Sequence, residues 1–146
     1  MTPLSKDPCQ IYQYLLITRS LGTLPSDNQD YSVFPRREPN EPDNCITVYD
    51  QDPEKLGADM ITGHVELQYG IQIRIRSKSS SFYKAREIVR SLEQVDKQQV
   101  TVDSASFEVN RCHLLSGPIP LGTSVAPNSG LYLFTINYAS QIKELP

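Results

Sequence analysis

"HVELQYGIQIRIRS", residues His64 to Ser77, alternates without a break. Val65, Leu67, Tyr69, Ile71, Ile73 and Ile75 fall on one side; His64, Glu66, Gln68, Gly70, Gln72, Arg74 and Arg76 fall on the other. Successive side chains of a strand point to opposite faces, so a period of two reads as a half-buried β-strand. No other run in the chain alternates for as long, and a sheet has to be built around it. Its apolar side belongs to the core. What its polar side faces is the open question, solvent being the default for one side of an antiparallel sheet.

After the strand, "SSSFYKAREIVRSLEQVD" sets Phe82, Ala85, Ile88, Val89, Leu92 and Val95 at helical spacing, with serine ahead of them to cap and Lys84, Arg86, Glu87, Arg90 and Glu93 outside. This predicts a helix from Phe82 to Val95, lying behind the strand against Ile71, Ile73 and Ile75. Before the strand, "CITVYD" is a short strand that runs into a turn, "QDPEKLGAD". Earlier still, "TLPSDNQDYSVFPRREPNEPDN" carries Pro25, Pro35, Pro39 and Pro42 and only "YSVF" looks strand-like, which predicts a loop or an edge hairpin. The chain starts with a helix in "DPCQIYQYLLITRSLG", capped by Asp7, with Pro8 in its first turn and Gly22 to end it. On the far side, "QVTVDSASFEVNRCHLL" gives one or two strands, "SGPIPLGTSVAPNSG" a proline-punctuated connection and "LYLFTINYASQI" a last strand. The order predicts an α+β fold, one mainly antiparallel sheet with two helices packed on it, as a single domain over residues 1–146 with a Pro/Asp-rich excursion at 23–44.

A chain of 146 residues, 38% hydrophobic and 21% charged, is long enough to bury one core without staples. No apolar run reaches the roughly 20 residues that span a bilayer, and "MTPLSKDPC" lacks the pattern of a signal peptide, so a cytoplasmic protein without a membrane role is expected. Cys9, Cys45 and Cys112 are far apart, with only His64 and His113 for company, and suit three free thiols better than a metal site or a disulfide framework. Cys112 beside His113 resembles a nucleophile and base, but neighbours on a strand point apart.

Charge is unevenly spread in a chain of net charge −3. Residues 27–59 hold nine acids against three bases, a net −6; residues 64–90 hold six bases against two acids, a net +4. Such asymmetry permits head-to-tail contact between copies. The bases Arg74, Arg76, Lys78, Lys84, Arg86 and Arg90, with Tyr83 for stacking, also form a candidate nucleic-acid surface, although an ordinary solvated helix face fits them too. For catalysis, the pattern to weigh is Pro42-Asp43 with Glu66-Leu67-Gln68, two carboxylates that could hold Mg²⁺ for phosphodiester cleavage if the fold brought them together. Glutamine stands where such a set carries lysine, and Pro-Asp is common in turns.

Three segments, "EPDNCITVYDQDP", "IQIRIRSKSSSFYKAREIVRSL" and "LSGPIPLGTSVAPNSGLYLFTINY", together resemble the tail terminator family, small minor capsid or tail-completion proteins of long-tailed bacteriophages. The resemblance covers roughly residues 10 to 140 and lies in the order of the three segments; the excursion from Pro25 to Pro42 has no counterpart in it. It implies an α+β subunit that closes into a hexameric ring on the tail tube, stops its polymerisation and offers a docking surface to a neck or head-completion protein. DNA passes the lumen without sequence-specific binding. No catalysis, cofactor or metal is implied, and the place of work is the host cytoplasm during assembly and then the virion. Carried onto this chain, Gln68, Gln72, Arg74, Arg76 and Lys78 are expected at a subunit interface or lumen, and Arg36, Arg37, Glu41, Asp43, Asp50, Asp52, Pro118 and Pro120 on partner-binding loops. The rivals are another ring subunit of the phage connector, a Mg²⁺-dependent nuclease using Asp43 and Glu66, and a regulatory binding module.

Overall fold

A computed structural model of the chain describes residues 4–27, 29–51, 54–58, 65–123 and 130–146. The first helix is α1 (Pro8–Thr18), and three strands follow: β1 (Ser32–Pro35), β2 (Cys45–Asp50) and β3 (Glu54–Ala58). Next come β4 (Val65–Ser77), the helix α2 (Tyr83–Leu92), β5 (Gln98–Val102), β6 (Ala105–Val109), β7 (His113–Thr123), β8 (Tyr132–Ser140) and β9 (Ile142–Glu144). The main sheet runs β1-β2-β4-β8-β7, with β3 paired to the first part of β4; β5, β6 and β9 form a second, three-stranded sheet. All pairs are antiparallel except β1 with β2. The class is α+β, and the main sheet is joined by a small second one that the alternation pattern did not separate.

β4 is the axis of this arrangement because it is flanked along its length. Ile46, Ile75 and Phe134 stand in one row across β2, β4 and β8, and Val48, Ile73 and Ile136 in the next. All six are buried. At about 25 cal/mol per Å² of apolar surface, such rows supply most of the drive to form the sheet. The helix covering β1, β2 and β4 is α1, which also touches β5; α2 reaches β7 and β8 instead, with Phe82 and Phe134 ring centroids 4.9 Å apart. Ile71, Ile73 and Ile75 share one buried cluster with Ala85, Ile88 and Leu92 of α2, as expected, and also with α1, whose buried residues Cys9, Ile11, Tyr12, Gln13, Leu15 and Leu16 go round more than one side because it meets both sheets.

Asp7 stands at the N-cap of α1, where its N–H donates to Gln10 Oε1 at 3.2 Å. Gly22 does not cap that helix, which ends at Thr18; it is glycine because a Cβ there would lie 2.5 Å from the Tyr31 carbonyl oxygen and 2.4 Å from Val33 Cγ2. "QDPEKLGAD", expected as a turn, contains β3. "SGPIPLGT", expected as a connection, is most of β7; its prolines are admissible because β7 is an edge strand with register shifts at Leu114/Ser116, Ser116/Ile119 and Pro120/Gly122.

Candidate functional site

The polar side of β4 is not a uniform exposed wall. Its residues stand in rows with neighbouring strands: Tyr49, Gln72 and Asn137 in one, Thr47, Arg74 and Thr135 in the next, Cys45, Arg76 and Leu133 in the last. Gln72 Nε2 donates to Asn137 Oδ1 at 3.3 Å, and Asn137 Nδ2 donates to Ser116 Oγ at 2.9 Å, so a hydrogen-bonded line crosses β4, β8 and β7. The Arg74 guanidinium lies over the Tyr49 ring, 5.4 Å from its centroid, and its Nε finds no acceptor among the described residues. Gln68 sits opposite Glu54 of β3 and is half-buried.

Arg76 corrects the expectation most sharply. It is only 3% exposed and gives its donors to four backbone carbonyls of the proline-rich excursion: Pro39 at 2.7 Å, Asn40 at 3.1 Å, Pro42 at 2.8 Å and Asp43 at 3.1 Å. Glu38 Oε2 lies 4.0 Å away. A planar guanidinium with five donors can organise such a loop, where an ammonium could not reach as many acceptors. Arg76 is therefore a structural centre and not a lumen or seam residue.

The same excursion disposes of several other candidates. Asp50, expected on a docking loop, has a side chain only 6% exposed; it accepts from the Cys9 N–H at 3.0 Å and from Arg36 Nε at 2.9 Å. Burial raises its pKa, but the Arg36 and Cys9 hydrogen bonds outweigh that and hold it below the ordinary carboxylate value. Arg36 also reaches Asp7 Oδ2 at 3.3 Å. Lys78 Nζ is 3.6 Å from Asp43 Oδ2. Two ion pairs thus join the basic segment to the acidic one within the chain, Arg76 with Glu38 and Lys78 with Asp43, while Arg36–Asp50 and Lys84–Glu87 each stay inside one segment. Arg37 and Glu41 remain exposed, and Asp52 lies outside the described residues.

The nuclease pairing fails on distance. Asp43 sits beside Arg76 and Lys78 at one end of β4, while Glu66 lies ten residues back along it. Ten residues of strand span about 33 Å, far beyond a shared metal ion. No group of three or more His, Cys, Asp or Glu that could hold a metal occurs among the described residues. The cysteines are free, and burial pushes Cys9 up to about 12 and Cys45 to about 11. Cys112 Sγ accepts a hydrogen bond from Tyr12 Oη at 3.1 Å, and Tyr12 also bonds Ser140. His113 points outward on β7, so no Cys–His dyad forms.

What sequence reasoning missed lies on β7. Among the described residues the large apolar or aromatic side chains left exposed are Tyr83, Leu114, Leu115, Ile119 and Leu121, and four of these five belong to this one edge strand. Leu115 is 64% exposed. The adjacent pair Leu114-Leu115 was the available signal, since two neighbours on a strand cannot both face one core. Pro118 and Pro120, expected on a loop, lie within the same edge. Gly117, just ahead of Pro118, has φ +105°, and a Cβ there would come within 2.6 Å of the Thr135 carbonyl oxygen. At the opposite edge of the sheet, Phe34, Pro35, Arg37, Glu38, Pro39 and Asn40 line an open cleft of about 370 Å³.

No protein-family model matches this chain, and no curated protein does. A solved structure to which it is similar aligns over 78% of this chain and 80% of its own, at 11% identity and a TM-score of 0.43, a likeness that carries no argument. No helix among the described residues is long and apolar enough to cross a membrane.

Proposed function

We propose that this chain is a structural subunit of a long-tailed bacteriophage virion, a tail terminator whose copies close into a ring on the tail tube. The ring stops tube polymerisation and gives head or neck proteins a surface to dock on. The observation that carries this is the β7 edge: a row of exposed leucine and isoleucine on one strand marks a surface made to be covered by protein. Two further features are compatible with it. The three segments that carry the resemblance correspond to β2, to β4 with α2, and to β7 with β8, which include the three central strands of the main sheet and its apolar edge. The line of Gln72, Asn137 and Ser116 beside Arg74 offers DNA a polar wall with little cationic grip, as passage without sequence-specific binding requires.

The test is assembly with tail tube protein. Light scattering and electron microscopy are expected to show rings at tube ends and tubes that stop growing when the chain is added. A chain that stays monomeric and leaves tube length unchanged defeats the proposal. Binding to head-side components alone moves it to a neighbouring ring of the connector.

A further inference from the structure

Resting on the assembly reading above, we infer that copies of this chain join head to tail through opposite edges of the main sheet, the apolar side chains of β7 seating in the cleft beside β1 of the next copy. The two edges differ in the way a donor and an acceptor differ. β7 projects Leu114, Leu115, Ile119 and Leu121, between 41% and 64% exposed. At the other edge the Thr23–Ser32 bridge covers the start of β1, and the Val33 N–H donates to the Thr23 carbonyl at 2.9 Å. That leaves Phe34 and Pro35, which with Pro39 form apolar parts of the cleft wall.

The contact is made by side chains and not by strand addition. Pro118 and Pro120 have no N–H to offer, and three register shifts interrupt β7, so its free edge cannot present a continuous ladder to a new strand. Charge points the same way as shape. Glu38 Oε1, in the cleft wall, is buried without a hydrogen-bond partner, and Glu41 is exposed on the same loop. Arg111, exposed just ahead of β7, makes no ion pair among the described residues. Docking a β7 edge with Arg111 on the Glu41 side of the cleft, away from Arg37, brings this cation to that exposed carboxylate. A β7-to-β7 pair would bury leucine on leucine but leave Glu38 and the cleft uncovered.

Eleven residues of strand run about 36 Å, a length along which a second copy can be gripped. Because the two patches are different and lie on opposite edges, each copy can dock a neighbour on either side, and the chain of contacts continues until rotation closes it.

The experiment uses full-length chains carrying Leu115→Cys or Arg37→Cys, mixed and oxidised, with cross-links mapped by peptide mass. The expected product is the mixed link between positions 115 and 37, and Leu115→Lys is expected to weaken self-association about tenfold with an unchanged circular-dichroism spectrum. Links of position 115 to itself in place of the mixed link overturn the inference, as does undiminished association of Leu115→Lys. So does a complete lack of links with tail tube protein both absent and present. The two proposals separate cleanly: tube capping without the 115–37 link removes only the seam, and the link without tube capping removes only the tail terminator reading.

Discussion

At one end of β4 a charged side chain is sealed inside the protein, while along the strand β7 four aliphatic side chains stand in water. Arg76 is 3% exposed and Leu115 64% exposed, the reverse of what their chemistry prefers. The inversion at Arg76 is resolved within the chain, because four loop carbonyls accept its donors and the Glu38 carboxylate lies 4.0 Å away. The inversion at β7 is resolved by nothing in the described chain. A buried cation with four carbonyl acceptors is held by the fold itself, whereas aliphatic side chains left 41% to 64% exposed along one edge strand are not accounted for by folding.

Substitutions can break or sharpen that contrast. The largest effect is expected from Arg76→Ala, which leaves the carbonyls of residues 39, 40, 42 and 43 without donors; unfolding in urea should show a loss of about 3–5 kcal/mol. Hydrogen exchange in residues 38–44 should rise at the same time, and a loss under 1 kcal/mol would remove Arg76 from its central role. For the same reason, reversing Arg74 and Arg76 together would damage the loop itself and would not report on assembly.

Gly117→Ala comes next, at about 1–3 kcal/mol, because a side chain at φ +105° is strained and its Cβ presses on the β8 backbone. The thermal midpoint measures it. The Asp50→Asn exchange follows, at about 1–2 kcal/mol near neutral pH through weaker bonds to Arg36 and Cys9. Asp50 has a lowered pKa in the folded state, so its contribution is full above the unfolded value of about 3.9 and fades as pH falls through the folded one. The stability gap between Asp50→Asn and the unaltered chain should therefore narrow below about pH 4 in acid titrations. Smallest of all, Leu115→Lys should shift unfolding free energy by no more than about 0.5 kcal/mol, since that side chain packs against little. A larger loss would mean that Leu115 belongs to the fold and not to a seam.

Much of the sheet was legible in local pattern. "CITVYD" became β2 residue for residue, and the alternation from Val65 to Ser77 became β4, because a period of two leaves a strand no other way to bury Ile71, Ile73 and Ile75. β7 was not legible: two prolines and two glycines in "SGPIPLGT" look like a loop, and only pairing with β8 at an edge makes them tolerable. The interaction residues were harder still. Nothing in "IRIRS" separates Arg74 from Arg76, two positions apart on one face.

The sequence by itself determined the α+β class, the central strand, both helices and the free state suited to three distant cysteines, since these follow from periodicity and spacing along the chain. Tertiary structure alone decided which charges are spent inside the subunit and which apolar side chains are left over. Loop 38–43 folds back across the end of the sheet and takes Arg76, but the edge of β7 has no such cover among the described residues. Satisfaction of a buried donor and exposure of an edge depend on which segments meet in space, and residues 39 and 76 meet only through the fold.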